Sequence, residues 1–458
     1  MRFHLGVNVF HDVGFSVVGS SGEPIAIYEE PKFTGRKEEY LFPLQSLEQI
    51  RKDGFTEFES ITWPIEISNV LDLPEEYNFH KLGVATTKDF ESYLSRLFNF
   101  KNKYLIYHHA AHAESVFYAS GFKDAHILVI DGAGEEQSIS MFYGDSDSSE
   151  GIKECFRIPR SQFSYGHLYG FFTSYLGYSK GASNTHCGKV MGLSSYGKPL
   201  YLKELEQLYR NEDSLFPKGH LSTFKFLEDR FGPAYTLSNK FTEEQANIAA
   251  SLQSYLEQDL ARVLDELNSF YPDLPKSENL CLAGGVAMNS VANGKLLFSK
   301  KYKDIFVQPA STDAGIAYGA AFYGARMSGD IKKKNAFWGK ANFGYECKSD
   351  YKDIIDIIDE YHMPLEIEVI NNTEEYIAKN LAENKIIAVC RGKQEVGERA
   401  LGYRSIFALP TVEMRDKVNA RIKYREEWRP FAPIILDTYM SKIFYTDRPE
   451  PFMTIVYP

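Results

Sequence analysis

Ala125-His126-Ile127-Leu128-Val129-Ile130-Asp131-Gly132-Ala133-Gly134-Glu135 is the stretch that decides the fold class. A short apolar run that stops on Asp-Gly has the length of a buried strand, and the glycines mark a turn at its end. Further strands are expected at 137–143 and near 153–158. The same order stands at the N-terminus. There 3–9 reads as a strand, Phe10 to Gly14 as a polar turn, and 15–19 and 24–29 as strands joined by Ser20-Ser21-Gly22-Glu23. Strand, acidic loop, strand, strand, occurring twice, predicts an α/β chain whose large domain is duplicated in architecture.

Working toward the C-terminus, the apolar spacing from Thr242 to Tyr271 is helical, and Thr242 with Gln245 matches a capping box. A strand at 279–283, the Gly284-Gly285 turn and a helix from about Val286 follow. A strand at 305–308 then runs into Asp313 and a Gly/Ala-rich helix. Ser328 to Asn335 is polar and lysine-rich, so a linker is expected between about 327 and 365. The expected domains are 1–345 and 346–458.

A chain of 458 residues, 44% hydrophobic and 25% charged, has globular proportions and is too long for one compact core. Its net charge of −11 opposes broad attraction to nucleic acid or to an anionic membrane surface. Cys155, Cys187, Cys281, Cys347 and Cys390 are odd in number and too scattered for a C-x-x-C clamp, so a reducing, cytoplasmic setting is expected. Asn8, His11 and Asp12 interrupt the first apolar stretch before a signal-peptide core forms, and no run approaches the ~20 apolar residues of a membrane span.

Leu105-Ile106-Tyr107 reads as a strand end, after which His108-His109-Ala110-Ala111-His112 opens a helix. His108 and His112, four residues apart, share one face and can share a divalent cation. Two histidines leave such an ion under-coordinated, and Asp131 and Asp313, each at a strand end in a Gly-rich turn, can complete its shell. Singly, the histidine pair reads as a helix-surface feature and Asp313 as an N-cap; together they read as a metal centre.

Gly132 and Gly134 can expose backbone N–H groups to a phosphate with Glu135 beside them to orient a metal or water, although the turn also reads as a hairpin. Gly284 and Gly285, with Val286 and Asn289, form a strand-to-helix switch where adenine or ribose can lie on bare backbone; tight packing is the plainer reading. His11 and Asp12 can act as general base and orienter for an acceptor hydroxyl, or as an ordinary turn.

The run from Arg391 to Arg429 holds ten basic residues against six acidic ones, a net of +4 in an acidic chain. Arginine forks match phosphate, and Arg399, Arg404, Arg425 and Arg429 lie beside Gly, Pro or aromatic residues that can hold them against a compact anion. Lys423 belongs to the same run, while Arg415 and Lys417 read as a solvated face.

Several motifs then fall in one order. They are Asn8-x-x-His11-Asp12, Phe33-Thr34-Gly35-Arg36-Lys37, His108-His109-x-x-His112-Ala113, Asp131-Gly132-x-Gly134-Glu135 and Gly188-Lys189-Val190-Met191-Gly192-Leu193-Ser194-Ser195-Tyr196-Gly197. Ala283-Gly284-Gly285-Val286-Ala287-Met288-Asn289, Gln308-Pro309-Ala310 through Asp313, Gly397-Glu398-Arg399-Ala400-Leu401-Gly402-x-Arg404-Ser405 and Arg429-Pro430-Phe431-Ala432-Pro433 complete the series. The chain resembles the NodU-type carbamoyltransferases, which carbamoylate hydroxyls of sugars, antibiotics and other natural products.

The resemblance implies an N-terminal domain of the actin, heat-shock-chaperone and hexokinase class, ribonuclease H-like in its halves and related to tRNA threonylcarbamoyl transferases. It also implies a smaller α+β, YrdC-like C-terminal domain that joins carbamoyl phosphate to ATP, giving carbamoyl adenylate and pyrophosphate, with magnesium as a further cofactor. His108, His112, Asp131 and Asp313 match the family's metal ligands, for Fe2+, Mn2+ or Zn2+. His11 and Asp12 match its acceptor loop, and Gly284, Gly285, Val286 and Asn289 its adenylate turn. Lys189 and the arginines fall among the nucleotide-binding positions.

Glu398 departs from the family's usual proline, and Thr185-His186-Cys187 from its usual acidic-aromatic stretch. The chain stops at Pro458 where family members typically continue, so an incomplete second domain is expected, with a homodimer or a second chain to complete it. The expected partners are carbamoyl phosphate and a small hydroxylated acceptor. The rival readings are a kinase of the same fold and a non-catalytic nucleotide-binding subunit.

Overall fold

Two five-stranded sheets repeat one topology in the computed structural model, which describes residues 2–9, 11–36, 42–64, 87–179, 186–331, 339–346 and 351–458. Phe10, Lys37, Thr185, Cys347 and the linker residues 332–338 and 347–350 lie outside the described residues. The first sheet comprises β1 (Phe3–Asn8), β2 (Gly14–Gly19), β3 (Pro24–Glu29), β4 (Glu57–Pro64) and β5 (Asn99–Ile106), in the order β3-β2-β1-β4-β5. The second comprises β6 (Asp124–Ile130), β7 (Gln137–Asp145), β8 (Ile152–Pro159), β9 (Asn279–Ala283) and β10 (Asp304–Val307), in the order β8-β7-β6-β9-β10.

In each sheet the first three strands form an antiparallel meander, and the last two add in parallel beside the first. Short turns suffice for the meander, whereas parallel addition needs long crossovers. The chain is thus α/β and duplicated, as the twofold strand pattern predicts, in the actin/hexokinase-like architecture that the resemblance implies.

The continuous apolar run of β6 is explained by burial on both faces. Leu128 and Ile130 belong to a core shared with the helix Glu243–Phe270, while Ile127 and Val129 pack with Val116 and Phe117 of the helix His108–Ser120. The helix Ile316–Met327 lies on β1 and β4 and against His108–Ser120, so these two helices form the layer between the sheets. Small residues permit that approach. A Cβ on Gly6 would fall 1.8 Å from the Ala317 carbonyl oxygen, and one on Gly319 1.9 Å from that of Ala111.

The capping box forms as expected. Thr242 Oγ1 accepts from the Gln245 N–H at 3.1 Å, and Gln245 Oε1 from the Thr242 N–H at 2.9 Å. The helix expected from Val286 is a correction: Gly285–Met288 is a single 3-10 turn, and the α-helix starts at Ser290. Asn289 Oδ1 accepts from the Ala292 N–H at 3.1 Å, so the asparagine acts as an N-cap and sets the later start.

The described residues 339–346 of the expected linker are tied down by backbone hydrogen bonds. The Val396 N–H donates to Ala341 O at 2.8 Å, that of Gln394 to Tyr345 O at 2.9 Å, and that of Ile27 to Phe343 O at 2.9 Å. Helices Tyr351–Glu360 and Thr373–Ala382 and the antiparallel pair β11 (Ile387–Cys390) and β12 (Arg404–Phe407) follow. The chain then returns to the duplicated unit, where Phe452 and Ile455 enter its cores. No described helix is long and apolar enough to cross a membrane.

Candidate active site

The His108–Ser120 helix begins two residues after β5 ends, which carries His108 and His112 to the sheet's C-terminal edge, both buried. Their Nε2 atoms stand 3.2 Å apart. Asp131 Oδ2, just past β6, lies 3.2 Å from His108 Nε2 and 3.5 Å from His112 Nε2. Asp313 Oδ1, in the turn after β10, lies 3.4 and 3.6 Å from the same atoms. Bonds of about 2.0–2.2 Å put tetrahedral donors about 3.3–3.6 Å apart, so these separations fit one divalent ion.

Charge agrees with geometry. Burial alone would push both carboxyls up, but His108 and His112 hold Asp131 well below its ordinary value and keep Asp313 low as well. Burial opposes a proton on His112, yet hydrogen bonds with Asp131 and Asp313 raise its affinity for one. Two ionised carboxylates facing two imidazoles in a buried pocket form a donor set suited to a borderline divalent cation.

Asp131 is held from both halves of the chain. Its Oδ1 accepts from the Gly132 N–H at 2.7 Å and the Gly285 N–H at 3.2 Å, leaving Oδ2 for the centre. This corrects the reading of Gly132 and Gly134 as exposed phosphate donors, since the Gly134 N–H also turns inward, to Gln137 O at 2.6 Å. Their glycines serve close packing instead: Gly166 backs onto Gly132, and a Cβ on Gly134 would sit 2.9 Å from the His109 ring. Glu135, read as a metal or water orienter, caps the helix through the His108 N–H at 2.8 Å.

The N-terminal turn comes to the same place. Asn8 Nδ2 donates to His11 O at 2.6 Å and to Asp313 O at 3.0 Å, a link absent from the sequence reading. His11 Nδ1 stands 3.2 Å from Asp12 Oδ2, with Asp12 buried and His11 partly open. Asp12 holds a φ of 46°, a left-handed conformation that aspartate adopts more readily than most side chains.

On the other side, Gly284 has a φ of 89°, and a Cβ there would lie 2.4 Å from Ile130 O. The Gly285–Met288 turn, with Val286, is therefore pressed onto the end of β6. Asn289 forms a reciprocal amide pair with Gln253, at 3.0 and 2.9 Å, in addition to its capping bond.

Arg399 reaches this turn, its Nη2 donating to Met288 O at 3.2 Å. Lys189 Nζ meets Glu426 Oε1 at 2.7 Å, and Arg429 Nη1 stands 3.7 Å from Glu426 Oε2. Arg425 donates to Asn419 Oδ1 at 2.7 Å and lies over the Phe431 ring at 4.4 Å. Burial pulls its pKa down to about 10, and burial lowers that of Arg399 too, with Arg429 repelling both. Arg399, Arg425 and Arg429 thus share one basic cluster, which Lys189 joins through Glu426.

Two members of the basic run stand elsewhere. Arg404 is corrected from phosphate ligand to loop strut, because its two terminal nitrogens donate to the carbonyls of Arg391, Tyr403, Gly392 and Tyr345. Lys423 is exposed, with no ion pair among the described residues. Glu395, which the sequence did not single out, shapes the loop by accepting the N–H groups of Leu401, Tyr403 and Arg404. An acid set between Gly392 and Gly397, just ahead of the Gly402 turn, was the available signal.

Residues 69–322 match the family described as carbamoyltransferase N-terminus, and residues 378–458 that described as carbamoyltransferase C-terminus. The uncharacterized protein sll1178 of a Synechocystis species is 30% identical, covering 100% of this chain and 79% of its own length. Nodulation protein NolNO of Sinorhizobium fredii is 35% identical over 77% of this chain, and nodulation protein NolO of Bradyrhizobium diazoefficiens 35% over 76%. The chain spans 50% and 62%, respectively, of those two nodulation proteins. Both ends of the described architecture therefore match one family, and the chain belongs to the carbamoyltransferases.

Proposed function

We propose that the chain transfers a carbamoyl group from carbamoyl phosphate, through an ATP-derived carbamoyl adenylate, to a hydroxyl of a sugar or other small molecule. The observation that carries this reading is the meeting at Asp131 of the four-donor centre and the Gly285 turn, with Arg399 over the same turn. In this reading 346–458 contributes the YrdC-like, carbamoyl phosphate- and ATP-binding part, and 1–345 the transfer site.

In the first step water releases phosphate from carbamoyl phosphate, a carbamate oxygen attacks the α-phosphorus of ATP, and pyrophosphate leaves. Arg399, Arg425 and Arg429, with Lys189 beside Glu426, receive the phosphate charge. In the second step the acceptor oxygen attacks the carbamoyl carbon and AMP leaves. His11 takes the acceptor proton on Nε2, the Asp12 carboxylate 3.2 Å from Nδ1 favouring the tautomer that carries its proton there. A divalent iron, manganese or zinc ion held by His108, His112, Asp131 and Asp313 would polarise the carbamoyl carbonyl and offset phosphate charge.

The test is to incubate the protein with MgATP, carbamoyl phosphate and manganese or ferrous iron, then assay pyrophosphate and ADP. Pyrophosphate that depends on carbamoyl phosphate supports the proposal. ADP makes the chain a kinase of this fold, and nucleotide binding without turnover makes it a binding subunit.

A further inference from the structure

We infer that Glu29 and Lys32 are positioning residues that seat Arg399 on the Gly285–Met288 turn by gripping the backbone of Gly397. Glu29 ends β3 and is buried, and both its carboxylate oxygens accept from the Gly397 N–H, at 3.1 and 3.2 Å. Lys32 Nζ donates to the Gly397 carbonyl oxygen at 2.6 Å. One peptide segment is thus held at its donor and its acceptor by two side chains three residues apart.

The third side of the grip comes from the other half of the molecule. Gly397 has a φ of 83°, and a Cβ there would sit 2.2 Å from Pro309 O, on the loop leading to Asp313. Two residues on, Arg399 places one nitrogen on Met288 O, while its buried Nε has no hydrogen-bond partner among the described residues. That N–H is a donor left for an anion at the turn. Glu29 also pairs with Gly14, and the Glu30 N–H donates to Val13 O at 2.9 Å, so the grip grows from the same strand ends as the His11-Asp12 turn. Donor arginine and acceptor turn are thereby tied to one residue.

This inference rests on the reading of Arg399 as a nucleotide phosphate ligand, and a double-mutant cycle separates the two. MgATP affinity is measured by calorimetry on the full chain, Glu29→Ala, Glu29→Gln, Arg399→Ala and the Glu29→Ala/Arg399→Ala double variant. Glu29→Ala and Arg399→Ala are each expected to weaken MgATP about tenfold, and the double variant no further, because one acts through the other. Glu29→Gln keeps an oxygen for the Gly397 N–H and is expected to stay within about twofold of the parent.

Additive losses would assign Glu29 a general structural role and overturn the inference, as would a Glu29→Ala variant that binds like the parent while Arg399→Ala does not. If Glu29→Ala fails to fold, Lys32→Met takes its place in the cycle with the same expected non-additivity. A parent chain that does not bind MgATP refutes the nucleotide reading, and this inference with it.

Discussion

His108 touches both carboxylates of the centre and its helix partner, so truncating it removes one of four donors without opening the cores on either side of β6. Manganese is expected to raise the thermal midpoint of the parent, because an ion that binds only the folded state stabilises it by mass action. His108→Ala is expected to fold, to show no such rise, and to lose transfer. Glu29 gives a second prediction at this scale. Burial raises its carboxyl to about 7, with Lys32 opposing and Glu398 and Asp12 reinforcing the rise. The folded state then holds that proton more tightly than the unfolded chain does, so the contribution is favourable at low pH and is lost as pH rises through about 7. Denaturant titrations of parent and Glu29→Gln at pH 5 and pH 8 should show the parent losing up to about 3 kcal/mol relative to the variant.

At the scale of elements, stability hangs on contacts that the local pattern states and contacts that it does not. Thr242→Ala removes the capping box of Glu243–Phe270 and is expected to cost about 1 kcal/mol in chemical denaturation, leaving MgATP affinity unchanged. Gly6→Ala drives a Cβ into the Ala317 carbonyl between β1 and the helix Ile316–Met327, and should cost about 3 kcal/mol or more in the same assay. The capping box was legible because both partners lie within one turn of helix. The Gly6 contact was not, since its partner is more than 300 residues away. Likewise Asn289 stood in a motif, but its capping bond and its pairing with Gln253 were invisible until the helix start was seen at Ser290.

Across the whole molecule, the C-terminal residues are tied to the duplicated unit by charged contacts as well as by Phe452 and Ile455. Arg448 forks onto Asp304 and the Ile305 carbonyl, and Lys189 pairs with the buried Glu426. Removing the lysine leaves the buried Glu426 to the looser Arg429 pair, 3.7 Å away. Lys189→Met is therefore expected to cost about 3 kcal/mol and to speed amide hydrogen exchange over 419–430, where Asn419 and Arg425 are also joined. Unchanged exchange in that segment would show that Glu426 is held by its other neighbours instead.

The sequence by itself determined the three-strand run that opens each half, the long capped helix, and the identities of the four side chains that converge, but not β4 or the β11-β12 pair. Each of those depends on periodicity, on a turn residue or on a helical spacing that a few neighbouring residues specify. Tertiary structure alone decided which polar groups remain available. The Gly132 and Gly285 N–H groups turn to Asp131, Arg404 to backbone carbonyls as far away as Tyr345, and Gly397 to Glu29 and Lys32. A donor's partner is set by whatever the fold brings within about 3 Å of it, and apart from Asp131 for the Gly132 N–H and Tyr403 for Arg404 those partners come from elsewhere along the chain.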